Sequence, residues 1–360
     1  VRVELAEASH DILVGQGLLD RAGELLQQAG LAPGNVAVVT DENVGPLHAP
    51  RLLGSLEGSG YDAVVHTLPA GEETKSLDTI RGIYEFLLTA GIERGRPLMA
   101  LGGGVVGDAA GFAAATWLRG IPLVQAGTSL LAQVDSSIGG KVGINLPRGK
   151  NLAGAFHQPR LVVSDVTTLE TLDDDEFRSG LAEVVKYGVI RDGALFARLE
   201  VDHEKILARD VATLTDIIEA CSRIKSKVVA GDEREGGARK ILNFGHTVGH
   251  ALEAVRGYGV LRHGEAVAIG MMAAARLGRD LALTDPILLQ RLEKLLVRLG
   301  LPIRAPFRAE VEELTSLMAR DKKVEKGNLV FVLVRALGQV EIVRDVDPAR
   351  LSSVLESVAG

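Results

Sequence analysis

One cysteine, Cys221, stands in 360 residues, so no disulfide can form within the chain. A reducing compartment, the cytoplasm, is therefore expected. Aromatic residues are scarce, at 4%, so the core has to be assembled from Ala, Val, Leu and Ile. No stretch reaches the roughly 18 uninterrupted apolar residues of a membrane span. The longest candidate, Gly264–Leu277, is broken by Glu265 and Arg276, and no membrane partner is expected. The N-terminus lacks the basic region and apolar core of a secretion signal; Val1–Leu5 alternates like a strand instead. Positive charge is also short, with 40 basic against 47 acidic side chains and a net charge of −7. A nucleic-acid binder usually carries a basic domain or stripe, so none is expected here. A small anionic ligand stays open, because a local cluster of Lys and Arg can dominate its surroundings.

What is plentiful is glycine, at 42 residues, which points to tight turns and close backbone approaches. The first half alternates short β-branched runs with helical patterns. Val36–Thr40, Ala63–Leu68, Leu98–Leu101, Ile121–Gln125 and Leu161–Ser164 read as strands. Ser76–Ala90 places Leu77, Ile80, Ile83, Tyr84 and Leu87 at helical spacing. This alternation predicts an α/β domain with a parallel sheet. After Thr171–Asp175 the patterns become long and helical: Glu176–Ile190, Ala194–Leu199, Val211–Ala230, Thr247–Val255, Glu265–Leu281 and Ile287–Leu299. A hairpin-like stretch, Leu329–Val334 and Val340–Val343, turns at Gly338-Gln339. The domains expected are 1–175, α/β, and 176–360, helical.

Leu101-Gly-Gly-Gly-Val-Val-Gly-Asp108 follows a predicted strand and opens the helical run Ala109–Leu118. Glycines at such a junction let backbone amides reach a diphosphate, and the helix N-terminus adds positive charge. The spacing is neither G-x-G-x-x-G nor a Walker loop, and a tight turn without ligand is the competing explanation. Asp108 is expected in the first helical turn. In Gly71-Glu-Glu-Thr-Lys75, Glu72 can accept from ribose hydroxyls and Lys75 can meet phosphate; a solvated helix start explains the same residues.

Asn243-Phe-Gly-His-Thr-Val-Gly-His250 puts two histidines four apart, on one face if the segment is helical. His263 follows in Leu261-Arg-His-Gly-Glu265, and Glu183 and Lys186 lie three apart in an apolar helix. Imidazoles with one carboxylate suit Zn²⁺ with an open position. A lone His is more often structural, and this H-x-x-x-H lacks the Glu of the metalloprotease pattern. His10, His48, His66, His157 and His203 have no such company. Lys141, Lys150, Lys186, Lys225, Arg239 and Lys322 stand in apolar or Gly-rich settings. Any one of them is explained as a solvated face; lysines beside glycines suit phosphate or carboxylate, and Arg239 offers a bidentate fork.

Taken in order, Gly102–Asp108, Leu130–Ser137, Gly139–Lys141, Gly149–Leu152, Gly154–Phe156, Ala182–Gly188, Asp232–Glu235, Leu242–Thr247, His263–Ala266 and Asp321–Lys323 strongly resemble the 3-dehydroquinate synthase family. The match runs from about residue 40 to 335. It implies a Rossmann-like NAD-binding domain followed by an all-α metal-binding domain, and a homodimer. It implies a metal, Zn²⁺ or Co²⁺, on Glu183, His246 and His263, which makes His250 a substrate-site residue. NAD is implied at Asp41, Asn43, Gly71, Glu72, Lys75, Gly103, Gly104, Val105, Val106, Gly107, Asp108, Thr128, Ser129, Lys141, Lys150, Thr168 and Thr171. Substrate contacts and catalysis are implied for Asp135, Lys141, Asn151, Lys186, Lys225, Arg239, Asn243, His250 and Lys322, with Arg119 reaching the partner subunit. Two departures stand out: Gly127-Thr-Ser129 replaces the usual Pro-Thr-Thr, and Asp173 and Asp175 replace the usual Pro and Arg.

The resemblance implies conversion of 3-deoxy-D-arabino-heptulosonate 7-phosphate, a phosphorylated sugar acid, to 3-dehydroquinate and phosphate. Transient oxidation by NAD, phosphate elimination, re-reduction, ring opening and aldol closure follow one another. Three rival readings belong beside it. A polyol or glycerol dehydrogenase shares Gly-rich loops and clustered His but has less use for the basic set. Another sugar-phosphate cyclase is nearer; Asn151, Arg239, Asn243 and Lys322 favour the dehydroquinate product. A non-catalytic NAD sensor has no reason to keep the ligand-type residues.

Overall fold

The computed structural model describes residues 1–6, 8–147, 149–234, 236–255, 260–320 and 329–360. Lys322, with the rest of Asp321–Lys323, lies outside the described residues. The chain divides into two compact units, Val1–Asp173 with Leu214–Arg234, and Asp174–Thr213 with Glu235–Gly360. A single cut near residue 175 leaves out the returning piece: most of one long helix counts with the first unit.

The first unit is built on seven strands: β1 (Arg2–Val3), β2 (His10–Gly15), β3 (Asn35–Asp41), β4 (Asp62–Leu68), β5 (Leu98–Gly102), β6 (Leu123–Gly127) and β9 (Leu161–Asp165). Their order is β1-β2-β9-β6-β5-β3-β4. Every pairing is parallel except β1 with β2. A separate antiparallel pair, β7 (Lys141–Leu146) and β8 (Gly149–Phe156), lies between β6 and β9 in the chain. The helices are α1 (Ala22–Gln28), α2 (Gly45–Gly58), α3 (Leu77–Thr89) and α4 (Gly104–Thr116). Parallel strands buried on both faces need apolar side chains on both, and β3 and β5 show it. Val36, Val38, Met99 and Leu101 enter a core with α1 and α2. Ala37, Val39, Leu98 and Ala100 enter another with α3 and α4. The five strands expected from β-branched runs are all present, within two residues at each end.

The second unit holds α5 (Asp174–Ile190), α6 (Gly193–Leu207), α8 (His246–Val255), α9 (His263–Asp280), α10 (Pro286–Arg298), α11 (Val311–Arg320) and α12 (Pro348–Val358). α7 (Val211–Gly231) begins here and continues into the first unit. A hairpin, β10 (Phe331–Ala336) with β11 (Gln339–Val343), turns at Gly338 as expected. Among the described residues the unit is therefore helical with one hairpin rather than all-α. α9 packs against α5, α8, α10, α12 and β10, which is why it is apolar on nearly every side. Among the described residues no helix is long and apolar enough to cross a membrane.

Two expectations shift. The glycine loop does not precede its helix but begins it: Gly103 is the N-cap and α4 starts at Gly104. Asp108 thus sits in the second turn, not the first. Lys141 and Asn151 lie on the β7–β8 pair.

Candidate metal centre and cofactor loop

In the first unit, the end of β5 runs straight into α4. A Cβ at Gly102 would meet the Val106 side chain at 2.7 Å, and one at Gly107 would meet Gln125 Oε1 at 2.8 Å. Those two glycines are packing requirements. At Gly103 and Gly104 a Cβ would instead lie 3.4 and 3.2 Å from the hydroxyls of Ser129 and Ser136. Bare backbone at a helix N-terminus beside two hydroxyls is the chemistry of a phosphate cradle. Val105 and Val106 follow in the first turn, with Val106 buried in the core. The Thr128 amide donates to the Gly102 carbonyl at 3.0 Å, and Ser129 Oγ accepts from the Ala132 amide at 3.2 Å. Ser129 keeps a helix-capping hydroxyl despite the departure there.

Lys75 is the centre of a second cluster. Its Nζ donates to Asp108 at 2.7 Å and to Asn151 Oδ1 at 2.5 Å, and lies 3.5 Å from Glu72. Asn145 ties the group together, donating to Glu72 at 2.8 Å and accepting from the Asn151 amide at 2.9 Å. Burial works against the Lys75 ammonium, but Asp108 and Glu72 outweigh it and hold its pKa above the usual range. Gly71, which begins this segment, has φ of 106°, a conformation that glycine adopts without strain. Asn151 is itself left-handed, at φ 53°, a state Asn tolerates better than most residues. It was expected among substrate contacts; here it shares its amide with the residues expected at NAD.

Asp41 accepts from the amides of Asn43 and Val44, each at 2.9 Å, and so shapes the entry to α2. Thr168 Oγ1 donates to the Asp165 carbonyl at 2.8 Å, and Thr171 Oγ1 is bonded to His48 at 2.9 Å. Both threonines join a network at the end of β9, and Thr168 Oγ1 also lies 3.5 Å from the Thr128 carbonyl. Lys225, on α7, forms an ion pair with Asp135 and donates to its carbonyl at 2.6 Å. Lys141 is exposed and Lys150 half-buried. Exposed Arg119 follows α4 at φ 67°, with Leu118 before it at 49°.

In the second unit, α5, α8 and α9 bring four chemically distinctive side chains together. Glycine makes the approach possible. A Cβ at Gly270 would lie 1.8 Å from the Gly245 carbonyl, one at Gly249 2.9 Å from the Ala266 carbonyl, and one at Gly264 1.8 Å from the Ser179 carbonyl. His246 and His263 open α8 and α9, and both rings reach Glu183 on α5. Arg262 anchors that start from outside, 3.0 Å from Glu176 and 3.2 Å from Asp175. Asp175, a departure from the family pattern, thus has a place in the latch. Inside, the Gly264 amide donates to Ser179 Oγ at 2.9 Å.

Glu183 is fully buried, and its Oε1 lies 3.5 Å from Nε2 of His246 and 3.5 Å from Nε2 of His263. One ligand atom from each of the three falls within 4.8 Å of the others. Donors about 2.0–2.1 Å from a tetrahedral Zn²⁺ stand about 3.3 Å apart, so the set fits a divalent ion. His246 Nδ1 is 3.1 Å from the Phe244 carbonyl; donating there leaves Nε2 free to bind a metal. Burial opposes a charged His263, but Glu183 and Glu253 outweigh it and push its pKa up to about 10 in the metal-free chain. Lys186, 1% exposed, is ion-paired with Glu183. The His250 ring centroid is 5.5 Å from that of His246 and 6.3 Å from that of His263. Arg239, 2% exposed, and Asn243 lie on a short 3₁₀ stretch, Ala238–Asn243. Glu253, buried beside His263, escaped the sequence reading; its signal was the spacing of seven from His246 and three from His250.

A family model described as 3-dehydroquinate synthase N-terminal matches residues 65–179, and one described as 3-dehydroquinate synthase C-terminal matches residues 180–324. The chain is 46% identical over 355 residues to the 3-dehydroquinate synthase of Desulforamulus reducens, covering 99% of each. It is 52% identical over 344 residues to that of Geobacter metallireducens, covering 95% of this chain and 94% of the relative. Among solved structures it resembles 2-epi-5-epi-valiolone synthase from Streptomyces hygroscopicus subsp. jinggangensis, which has NAD⁺ and Zn²⁺ bound. That likeness has a TM-score of 0.91 at 27% identity and covers 99% of this chain and 98% of the other.

Proposed function

The chain belongs to the 3-dehydroquinate synthase family, and from that premise we propose that it converts 3-deoxy-D-arabino-heptulosonate 7-phosphate to 3-dehydroquinate and phosphate. When bound, NAD supplies reversible hydride transfer and the divalent metal polarises the oxygen on the oxidised carbon. The residues for the metal are Glu183, His246 and His263. The observation that carries the reading is the convergence of two Nε2 atoms on one buried carboxylate at 3.5 Å each.

The chain's own side chains divide the remaining work. Gly103, Gly104 and the α4 N-terminus take the NAD diphosphate, and Glu72 accepts from its ribose. Lys75 keeps a fixed positive charge beside Asp108 and Asn151. Lys141 and Lys322 meet the substrate phosphate as point charges, and Asn151 is assigned there too. Lys225, held in place by Asp135, and Arg239 are assigned to the carboxylate. Lys186 is ion-paired with Glu183. Holding the two ends of an opened ring favours the intramolecular closure over escape. Exposed Arg119, on left-handed backbone, supports a homodimer in which it reaches the partner's phosphate site. One buried cysteine supports work in the cytoplasm.

The test is to incubate the protein with the heptulosonate phosphate, NAD and Zn²⁺. Phosphate and the carbocycle should appear in equal amounts while NADH does not accumulate. NADH building up without phosphate would mean a dehydrogenase instead.

A further inference from the structure

His263 stands between two carboxylates. Its Nε2 faces Glu183 Oε1 at 3.5 Å, and its Nδ1 faces Glu253 Oε2 at 3.6 Å. Glu253 is 7% exposed and sits on α8, seven residues after His246 and three after His250. That spacing puts all three on one helical face. The surrounding helix is mostly apolar, with Ala251 and Leu252 buried beside it. A carboxylate buried in such a place is costly unless it is paired, and the imidazole of His263 is one partner.

We propose that Glu253 is a positioning residue for the metal, acting through His263. It takes the Nδ1–H, fixes that tautomer and leaves the Nε2 lone pair aimed at the position Glu183 shares. A carboxylate on the far nitrogen also makes the ligating nitrogen more basic. His246 has the same arrangement with a weaker acceptor, since its Nδ1 faces the Phe244 carbonyl. The two imidazoles are thus held differently, one by a neutral peptide oxygen and one by an anion. The proposal rests on Glu183, His246 and His263 being the ligand set.

A rival use of the same atoms exists. His250, Glu253 and His263 also offer ligand atoms within 4.8 Å of one another. A second ion there, however, requires His263 to give up both ring nitrogens to metal, and so to lose its last proton. A single proton shared between Nδ1 and Glu253 avoids that.

The experiment uses the full chain, stripped with a chelator, in wild-type form and as Glu253→Ala, Glu253→Gln and Glu183→Gln. Zn²⁺ affinity is measured against a chromophoric chelator, Co²⁺ loading is followed by visible absorption, and melts in chelator confirm folding. The wild type should bind one ion per chain. Glu253→Ala should bind it about 10–100-fold more weakly, with shifted Co²⁺ bands. Glu253→Gln, which keeps an acceptor oxygen, should fall between the two, and it decides the matter alone if the Ala variant does not fold. Unchanged affinity and unchanged bands in the Glu253 variants would overturn the proposal. So would two ions in the wild type with one lost on removing Glu253. Glu183→Gln that still binds with wild-type affinity would instead overturn the ligand set beneath it.

Discussion

His48 shows how one buried side chain makes stability depend on pH. It is 4% exposed on α2, with Nε2 bonded to Thr171 at 2.9 Å. Burial, and then the nearby Arg51 guanidinium, lower its pKa below the ordinary 6.5. The unfolded chain takes up a proton near pH 6.5, while the folded chain refuses it until lower pH. The stabilisation is therefore present above about 6.5 and is lost as pH falls toward the folded-state value. His10, also buried and lowered mainly by burial, adds to the same loss. His48→Gln keeps an amide donor toward Thr171 but cannot titrate. Urea unfolding at pH 7.5 and pH 5.0 should show a smaller drop for this variant than for the wild type; equal drops would refute the assignment. At this scale the sequence was a poor guide. His48 and Thr171 are 123 residues apart, and nothing in either neighbourhood announces their bond. Glu253 was hidden for a related reason, since one Glu on an amphipathic helix reads as a solvated position.

Among the helices, close approach is set by glycines whose reason is invisible in the chain order. Gly270 on α9 faces the Gly245 carbonyl so closely that a Cβ would lie 1.8 Å from it. Gly270→Ala should push α8 off α9 and cost about 1–3 kcal/mol or more, as overpacked cores do. Because α8 carries His246, Zn²⁺ affinity should fall as well. Gly82, inside α3, has open space around the same imagined atom. Gly82→Ala should therefore stabilise by about 0.5–1 kcal/mol and leave metal binding alone. Thermal melts with Zn²⁺ titrations of the pair check both halves; equal effects would mean that the short contact is not what matters. The regular elements were legible because burial on two faces writes a continuous β-branched run, and burial on one face writes a 3.6-residue period. The β7–β8 pair was not, since glycines 143, 149 and 154 erase both signals. For the same reason the start of α4 was placed five residues late. Glu183, His246 and His263 come together as one possible ligand set, but the residues alone left structural histidines equally open; only the resemblance separated His246 and His263 from His250.

For the molecule as a whole, the second unit carries its own electrostatic problem in the absence of metal. Glu183, Lys186, Glu253 and three histidines are gathered there, and His263 holds a proton up to about pH 10. A pKa raised from 6.5 to about 10 contributes stability that is fully present below 6.5 and lost as pH rises through 10. The metal-free chain should thus lose this contribution progressively between those values. The metal works in the opposite sense. Ligation needs a neutral imidazole, so binding displaces the His263 proton, and each pH unit below 10 weakens affinity about tenfold through this group. The stabilisation added by a fixed concentration of Zn²⁺ follows its affinity by mass action. Between pH 6.5 and 8.5 it should grow by about 1.4 kcal/mol per unit, the free energy of a tenfold change in affinity. Denaturant melts of chelator-treated protein, with and without Zn²⁺ across that range, measure both slopes at once. A Zn²⁺ increment that stays flat with pH would show that no proton leaves on binding, and the carboxylate-flanked histidine would not be the ligand.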